Sequence, residues 1–229
     1  MGEVLEMRIF PKTVMVLVFF SLLQGCGNDG QKDFYKGLWE GAKATLPSEK
    51  SEAEATEKAA IAIVEKSNID EPLILATTGE NRTLLIPVSK NGDYEQWHAP
   101  GKLGFTFKDG VLTATRGLGG DLMDADVEES IARIKTKSSQ PATRVHRYLS
   151  GVNTIIIRSF VCIIAQEDIE NTVVFGKKRS LSRVSEICTN SDTTIENLYW
   201  VDPSDGFIWK TEQWISTHVG VFTFERAQQ

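Results

Sequence analysis

The chain has 229 residues, of which 41% are hydrophobic and 24% charged, and its formal net charge is −6. That length accommodates one large domain or two small ones, with enough apolar side chain for a substantial core. The 25 lysines and arginines are scattered and form no basic stripe. We therefore exclude nucleic acid as a partner, since its recognition needs a surface that neutralises phosphates.

An apolar run near the N-terminus, residues 14–23, follows the basic residues Arg8 and Lys12. It is shorter than the roughly 20 residues that cross a bilayer, and a positive flank before a short apolar stretch is typical of a secretory signal peptide. A core helix that ends at an incidental cysteine is the alternative. The two glutamates ahead of Met7 fit a signal poorly, so we expect translation to begin at Met7.

The sequence Leu-Gln-Gly-Cys at residues 23–26 resembles the bacterial lipobox and ends a signal peptide predicted over residues 1–25. The resemblance implies that Cys26 receives diacylglycerol, that cleavage precedes it, and that palmitate acylates the new N-terminus. Several acyl chains anchor stably because each buried CH₂ contributes about 0.8 kcal/mol. Gly27 stands where an aspartate would signal inner-membrane retention, so we expect the periplasmic face of the outer membrane.

After cleavage we expect a lipidated tether of residues 26–33 and a single β-rich periplasmic domain over residues 34–229. Apolar residues at four-residue spacing predict a helix over 34–46. A capping-box spacing followed by good helix formers predicts a second helix over 51–67, although its alanines and isoleucines at 59–64 also favour a strand.

Beyond Pro72 the pattern changes to short alternating runs broken by Gly, Pro, Asn and Asp. Asn91-Gly92 and Asp109-Gly110 are turn sequences between such runs, and residues 202–206 separate another pair. Strands joined by turns and not by helices predict a mainly β fold, an antiparallel meander that forms a sandwich or a barrel.

Residues 115–130 form the densest cluster of unusual residues. Their glycines lack the spacing of a phosphate-binding loop, and their alternating acidic residues lack the turn glycine of a calcium loop. We expect a tight turn followed by a short inserted helix over 127–134, capped by Asp124 or Asp126. The residues of this turn that are candidates for binding are Arg116, Gly117, Gly119 and Asp121.

The cysteines of the mature body, Cys162 and Cys188, are 26 residues apart. In an oxidising compartment such a pair normally forms a disulfide. A metal pair or a catalytic thiol is the alternative, but the CxxC spacing and the nearby histidine that would support them are missing. We predict a disulfide.

Five aromatic residues are a possible platform for sugar rings, because the C–H faces of a pyranose pack well on indole. Neighbours on a strand point to opposite sides, so at least one of Tyr199 and Trp200 must belong to the core. The set comprises Trp97, Tyr199, Trp200, Trp209 and Trp214, of which Trp200, Trp209 and Trp214 are candidates for binding.

No catalytic constellation is visible in the sequence. His98, His146 and His218 are far apart, and none has a second ligand at metal spacing. No G-x-S-x-G motif occurs, and no pair of carboxylates is distinguished from surface charge. We therefore predict no enzymatic activity, no metal and no cofactor.

Four features together resemble the YjbF/GfcB lipoproteins, the group 4 capsule polysaccharide lipoprotein family. They are the lipobox at Cys26, the segment FTFKDGVLTATRGLGGDL from residue 105, the pair Cys162 and Cys188, and the aromatic end LYWVDPSDGFIWKTEQWI. The resemblance covers about residues 34–224. It implies a β-rich body on an outer-membrane lipid anchor, encoded with genes for capsule or exopolysaccharide production, and no established catalytic residues.

Three functional hypotheses follow. The first is an accessory factor in the export or assembly of an extracellular polysaccharide, which acts by binding the polysaccharide or its export proteins. The second is a structural scaffold that holds export proteins at the outer membrane without affinity for glycan. The third, an enzyme that trims polysaccharide, would need two carboxylates facing one cleft.

Overall fold

The computed structural model describes residues 72–99, 102–150, 152 and 154–227. The predicted signal peptide, Cys26, the tether and both predicted N-terminal helices lie outside these residues. The described part contains one helix, α1, and twelve strands. The elements are β1 Leu73–Thr78, β2 Asn81–Asn91, β3 Tyr94–Ala99, β4 Leu103–Lys108, β5 Val111–Arg116, β6 Leu122–Asp126, α1 Glu128–Thr136, β7 Ala142–Leu149, β8 Ile155–Val174, β9 Lys177–Thr189, β10 Thr194–Val201, β11 Ile208–Ser216 and β12 Gly220–Ala227.

All twelve strands belong to one antiparallel sheet with the order β5-β4-β3-β2-β1-β12-β11-β10-β9-β8-β7-β6. Each strand therefore lies beside its neighbours in sequence, and β12 pairs with β1. The two outer strands meet where the Leu122 backbone N–H donates to Thr115 Oγ1 at 3.0 Å. The sheet is nearly closed and barrel-like, which confirms the predicted antiparallel meander.

Inward side chains fill the space that the sheet encloses. Phe105 and Phe107, two positions apart on β4, share its inward face, and each is 1% exposed. They meet Phe222 and Phe224 of β12 with ring centroids 5.0 to 5.6 Å apart. Aromatic pairs at such distances add to the stabilisation from burial. The period-two pattern of the sequence thus identifies the core face correctly.

The inserted helix differs from its prediction at the N-terminal end. A strand, β6, separates the turn from the helix, and the N-cap residue is Val127, which has no side-chain cap. Asp124 instead pairs with Arg147 of β7, while Asp126 accepts only a long bond of 3.4 Å from the Glu128 N–H. The prediction of Asp124 or Asp126 as the cap was wrong, because both residues belong to β6, which pairs with β7. This helix, the only one among the described residues, is too short and too polar to cross a membrane.

The β8–β9 hairpin is much longer than its neighbours. A register shift between Gln166 and Ile169 divides it, and we call its distal half, residues 167–181, the arm. The arm's tip residue Phe175 is buried, and its N–H donates to Glu225 on β12 at 2.6 Å. Apolar residues of the arm form a cluster with strand residues outside the main core: Leu75, Val174, Phe175, Leu181 and Trp200.

Candidate functional site

The turn between β5 and β6 uses its polar groups internally. Asp121 accepts hydrogen bonds from the Thr115 hydroxyl and from the Gly117 and Leu118 N–H groups, at 2.9 to 3.1 Å. Arg116 donates to backbone carbonyls on either side of the turn. Gly117 has a φ of +88°, and a Cβ there would lie 2.9 Å from a backbone oxygen. This arrangement holds the turn together, and Gly119, also at positive φ, continues it.

The structure divides the candidate aromatic residues between two clusters. Trp97 and Tyr199 lie in the main core, and Trp214 packs against this core and stacks on the His146 ring, with ring centroids 6.0 Å apart. Trp200 belongs to the cluster beneath the arm, and it is only 6% exposed. The expectation that Tyr199 and Trp200 point to opposite sides is confirmed, and the five residues do not form one platform.

Trp209 and Trp200 lie together beneath the arm. The guanidinium of Arg179 lies 3.4 Å from the centre of the Trp209 ring, and Phe207 meets that ring edge-on at 4.8 Å. The Trp200 indole N–H donates to the Glu170 carboxylate of the arm. Cation–π contacts and these bonds fix the arm to β10 and β11. Arg179 therefore covers one of the two faces of Trp209 on which a sugar could stack.

A polar cleft of about 500 Å³ lies on the arm itself. Its carboxamide, hydroxyl and cationic groups can donate to and accept from a polyol, and one apolar side chain interrupts them. The Ser180 hydroxyl already donates to Asn171 at 2.7 Å. The lining residues are Asn171, Thr172, Val173, Lys178, Arg179 and Ser180. This cleft is a candidate site for a polar ligand.

A buried ion pair lies inside the sheet. Arg144 of β7 and Glu186 of β9 are 2.8 Å apart, and their side chains are 1% and 0% exposed. The same Glu186 oxygen accepts from Asn197 and from the Tyr199 hydroxyl, each at 2.8 Å. Hydrogen bonds to the charged atoms offset the cost of burying such a pair; three donors converge on this oxygen, while the other carboxylate oxygen of Glu186 has no hydrogen-bond partner. The network connects β7 to β9 and β10 across the intervening strand β8, and it is closed to solutes.

A chain of hydrogen bonds leads from this pair to β11. Arg144 Nε donates to His146 Nε2 at 2.8 Å, so that ring nitrogen must be unprotonated. His146 Nδ1 therefore carries the proton and donates to the Tyr148 hydroxyl, which in turn donates to the Ile215 carbonyl at 2.7 Å. The geometry defines a neutral imidazole with the proton on Nδ1.

Burial is the largest influence on the pKa of each of these groups, and it disfavours every charged form. For His146, burial and the nearby Arg144 charge both act downward, so its pKa lies well below 6.5. For Glu186, the attraction of Arg144 and the hydrogen bonds outweigh burial, so its pKa is lowered. The pKa of Arg144 is raised because Glu186 and Tyr199 outweigh burial in the same way. The network is thus an ionised pair beside a neutral histidine.

The His146 pKa predicts that acid weakens the fold. Below pH 6.5 the unfolded imidazole binds a proton that the folded one does not, so the stability present above pH 6.5 is lost as the pH falls. The loss reaches up to about 1.4 kcal/mol per pH unit. Urea unfolding between pH 7 and pH 5 measures it. We expect His146→Gln to flatten the dependence; a slope in that variant equal to the slope of the wild type would contradict the assignment.

Cys162 and Cys188 are directly opposite one another on β8 and β9, and the structure joins their sulfurs. Both are fully buried. Their sulfurs and a Glu186 oxygen lie within 4.8 Å of one another. Two sulfurs bonded to each other offer no thiolates, so this trio is not a metal-ligand set in the oxidised chain.

Sequence reasoning missed Arg144 and Glu186. The available signal was alternation: inward positions on β7 read Ala142, Arg144, His146 and Tyr148. A charge at such a position indicates a buried partner. Identifying that partner required the register of β9, which the sequence alone does not provide.

Comparison with known proteins gives a family and a fold. The family model described as "Group 4 capsule polysaccharide lipoprotein gfcB, YjbF" matches residues 39–226. No curated protein matches. Among solved structures, the chain is similar to the hypothetical lipoprotein YmcC from Escherichia coli (K12), with a TM-score of 0.60 and 14% identity. That similarity covers 69% of this chain and 87% of the other, and at this identity it supports the fold alone.

Proposed function

The chain belongs to the YjbF family of group 4 capsule polysaccharide lipoproteins, and from this premise we propose that it is an accessory factor in the export or assembly of capsule or exopolysaccharide. It acts by binding the polysaccharide or its export proteins, without catalysis. Membership itself indicates a role in capsule-related processes. The polar cleft on the arm supports the finer proposal, because its groups suit a polyol and the arm is held in place at its tip.

A lipid anchor at Cys26 completes the proposal. The family is one of lipoproteins, and the lipobox-like residues 23–26 supply the modification site. Acylation there, with Gly27 next in the chain, would hold the body on the periplasmic face of the outer membrane. An anchored body is positioned to meet polysaccharide on its way to the surface.

Complementation of a gene deletion tests the proposal. We expect deletion to reduce the amount or the length of surface polysaccharide, and the wild-type gene to restore it. A gene that carries both Asn171→Ala and Lys178→Glu changes two exposed residues of the cleft, so it should restore surface polysaccharide less well than the wild-type gene. The two substitutions together should weaken the affinity for purified capsule polysaccharide at least about tenfold, which corresponds to about 1.4 kcal/mol of binding free energy.

Lys90→Glu is the matched control, since Lys90 is exposed on β2 (67% of its side chain). It should complement and bind as the wild type does. Unchanged polysaccharide in the deletion strain would refute the accessory role. Equal glycan binding by the cleft variant and the control would show that the cleft is not the glycan-binding site.

The scaffold hypothesis is favoured by one observation, the covering of the aromatic rings. Arg179 lies on one face of Trp209, and Trp200 is buried, so this cluster offers little aromatic surface for a sugar to stack on. Pull-down with the lipidated protein separates the two hypotheses. Recovery of export proteins together with no measurable glycan binding would identify a scaffold.

A further inference from the structure

The outward face of β7, β8 and β9 carries a contiguous apolar strip. Its six large aliphatic side chains are 45% to 61% exposed, which is unusual in a soluble domain. Surfaces of this kind on soluble proteins mark interaction sites. The strip consists of Leu149, Ile155, Ile157, Val161, Ile163 and Ile187.

Strand register makes the strip continuous. Leu149 is opposite Ile155, and Ile163 is opposite Ile187. The outward positions between them on these strands are uncharged apart from Arg147, which is opposite Ile157. The strip therefore runs along β8 and extends sideways onto both neighbouring strands.

We propose that this strip is the contact between two copies of the chain. From Ile155 to Ile163 the face is about 26 Å long at 3.3 Å per residue. The contact also includes β10, which lies beside β9 and carries the exposed Glu196, so four strands give it a width of about 19 Å. Each copy then contributes about 500 Å², and two copies bury about 1,000 Å² in total. That area reaches the lower limit for a specific association between proteins.

Charge supports a second copy as the occupant. Exposed Glu196 on β10 is opposite Ile187, so it lies at the end of the strip diagonally across from Arg147. A two-fold axis in the plane of the contact, perpendicular to that diagonal, places each Arg147 over the other copy's Glu196. Arg147 also pairs with Asp124 of its own chain, and a guanidinium can serve two carboxylates.

Cross-linking of the full-length protein in membranes tests the contact. Ser159 is exposed and near the centre of the strip, so Ser159→Cys copies should join through a short bis-maleimide. Val88→Cys is the control, because Val88 is 51% exposed on β2, away from the strip. We expect a dimer band for the first and a background level for the second.

Two further variants, made in the Ser159→Cys chain, test the apolar and the charged parts of the contact. Val161→Asp should lower the cross-linked fraction about tenfold, because it buries an unpaired carboxylate in each copy; Val88→Asp should not change it. Glu196→Arg should also lower it, since it opposes two cations, and adding Arg147→Glu should restore part of it. Near-ultraviolet circular dichroism verifies that each variant is folded.

Three outcomes would overturn the proposal. One is cross-linking of Ser159→Cys no greater than that of Val88→Cys, and another is no rescue by the second charge change. The third is a Ser159→Cys thiol that does not react with the maleimide although light scattering shows the protein to be monomeric. Something other than a second copy would then cover the strip. Shielding that depends only on lipid vesicles would likewise identify a membrane and not a second copy.

Discussion

Replacing Glu186 by glutamine should lower the free energy of unfolding by about 3–5 kcal/mol, because it leaves the Arg144 guanidinium buried without a counter-charge. The substitution preserves volume, so no cavity contributes. Arg144, Asn197 and Tyr199 each donate to the Glu186 carboxylate at 2.8 Å, and Arg144 lies 3.3 Å from the Tyr199 hydroxyl. An amide N–H₂ of glutamine at this position would face donors and not acceptors. Urea unfolding at pH 7 measures the change.

An exposed ion pair provides the matched control for this substitution. Asp124 and Arg147 have side chains that are 56% and 39% exposed. Asp124→Asn should therefore cost less than about 1 kcal/mol. If the two substitutions were equally costly, the burial of the Arg144–Glu186 pair would have no energetic consequence, and its proposed role in holding the strands would be wrong.

A double variant separates charge from packing. Arg144→Met together with Glu186→Leu removes both charges, so it should be more stable than either single variant. Recovery should be incomplete, because Tyr199, Asn197 and His146 lose their partner. A double variant as unstable as the sum of the singles would indicate that the side-chain volumes, and not the charge pair, determine the stability at this point.

Turn chemistry explains which hairpins are visible in the sequence. Gly92, Asp109 and Gly110 adopt positive φ at low cost, and the Asn91-Gly92 and Asp109-Gly110 sequences both occur at hairpins as predicted. The β8–β9 hairpin instead turns at Phe175-Gly176, where Phe175 has a φ of +48°. A bulky aromatic residue rarely adopts this conformation. Phe175 is held in this conformation by its burial in the cluster with Leu75 and Trp200 and by the bond from its N–H to Glu225. Both contacts are long-range, so the local sequence does not indicate them.

Register explains the remaining differences. Alternation indicates which residues of one strand share a face, but it does not indicate which residues of another strand lie opposite. The disulfide could be proposed because the mature body has two cysteines and is expected in an oxidising compartment. Arg144 and Glu186 are 42 residues apart, and nothing in the sequence marks these two charged residues as partners. The candidate aromatics were divided because the arm folds onto the outward face of β10 and β11, a long-range contact.

Removing the cysteine bridge is the second large effect that we expect. Cys162→Ala with Cys188→Ala should lower the free energy of unfolding by about 3.5 kcal/mol, since a 26-residue loop in the unfolded chain regains its freedom. Urea unfolding midpoints measure this. Reductant added to the folded protein is a poor test because both sulfurs are fully buried. Wild-type protein reduced while unfolded, then refolded in reductant, should match the double variant.

The single variants distinguish the bridge from simple packing. Either Cys162→Ala or Cys188→Ala breaks the same covalent bond, and the thiol left behind is tolerated in an apolar site. Both singles and the double variant should therefore be destabilised by nearly the same amount. Additive losses would mean that the two side chains act through independent packing, and equal midpoints for wild type and the double variant would exclude a stabilising bridge. Because the pair lies between the arm and the free end of the hairpin, the bridge constrains the strand pair that carries both the candidate cleft and part of the apolar strip.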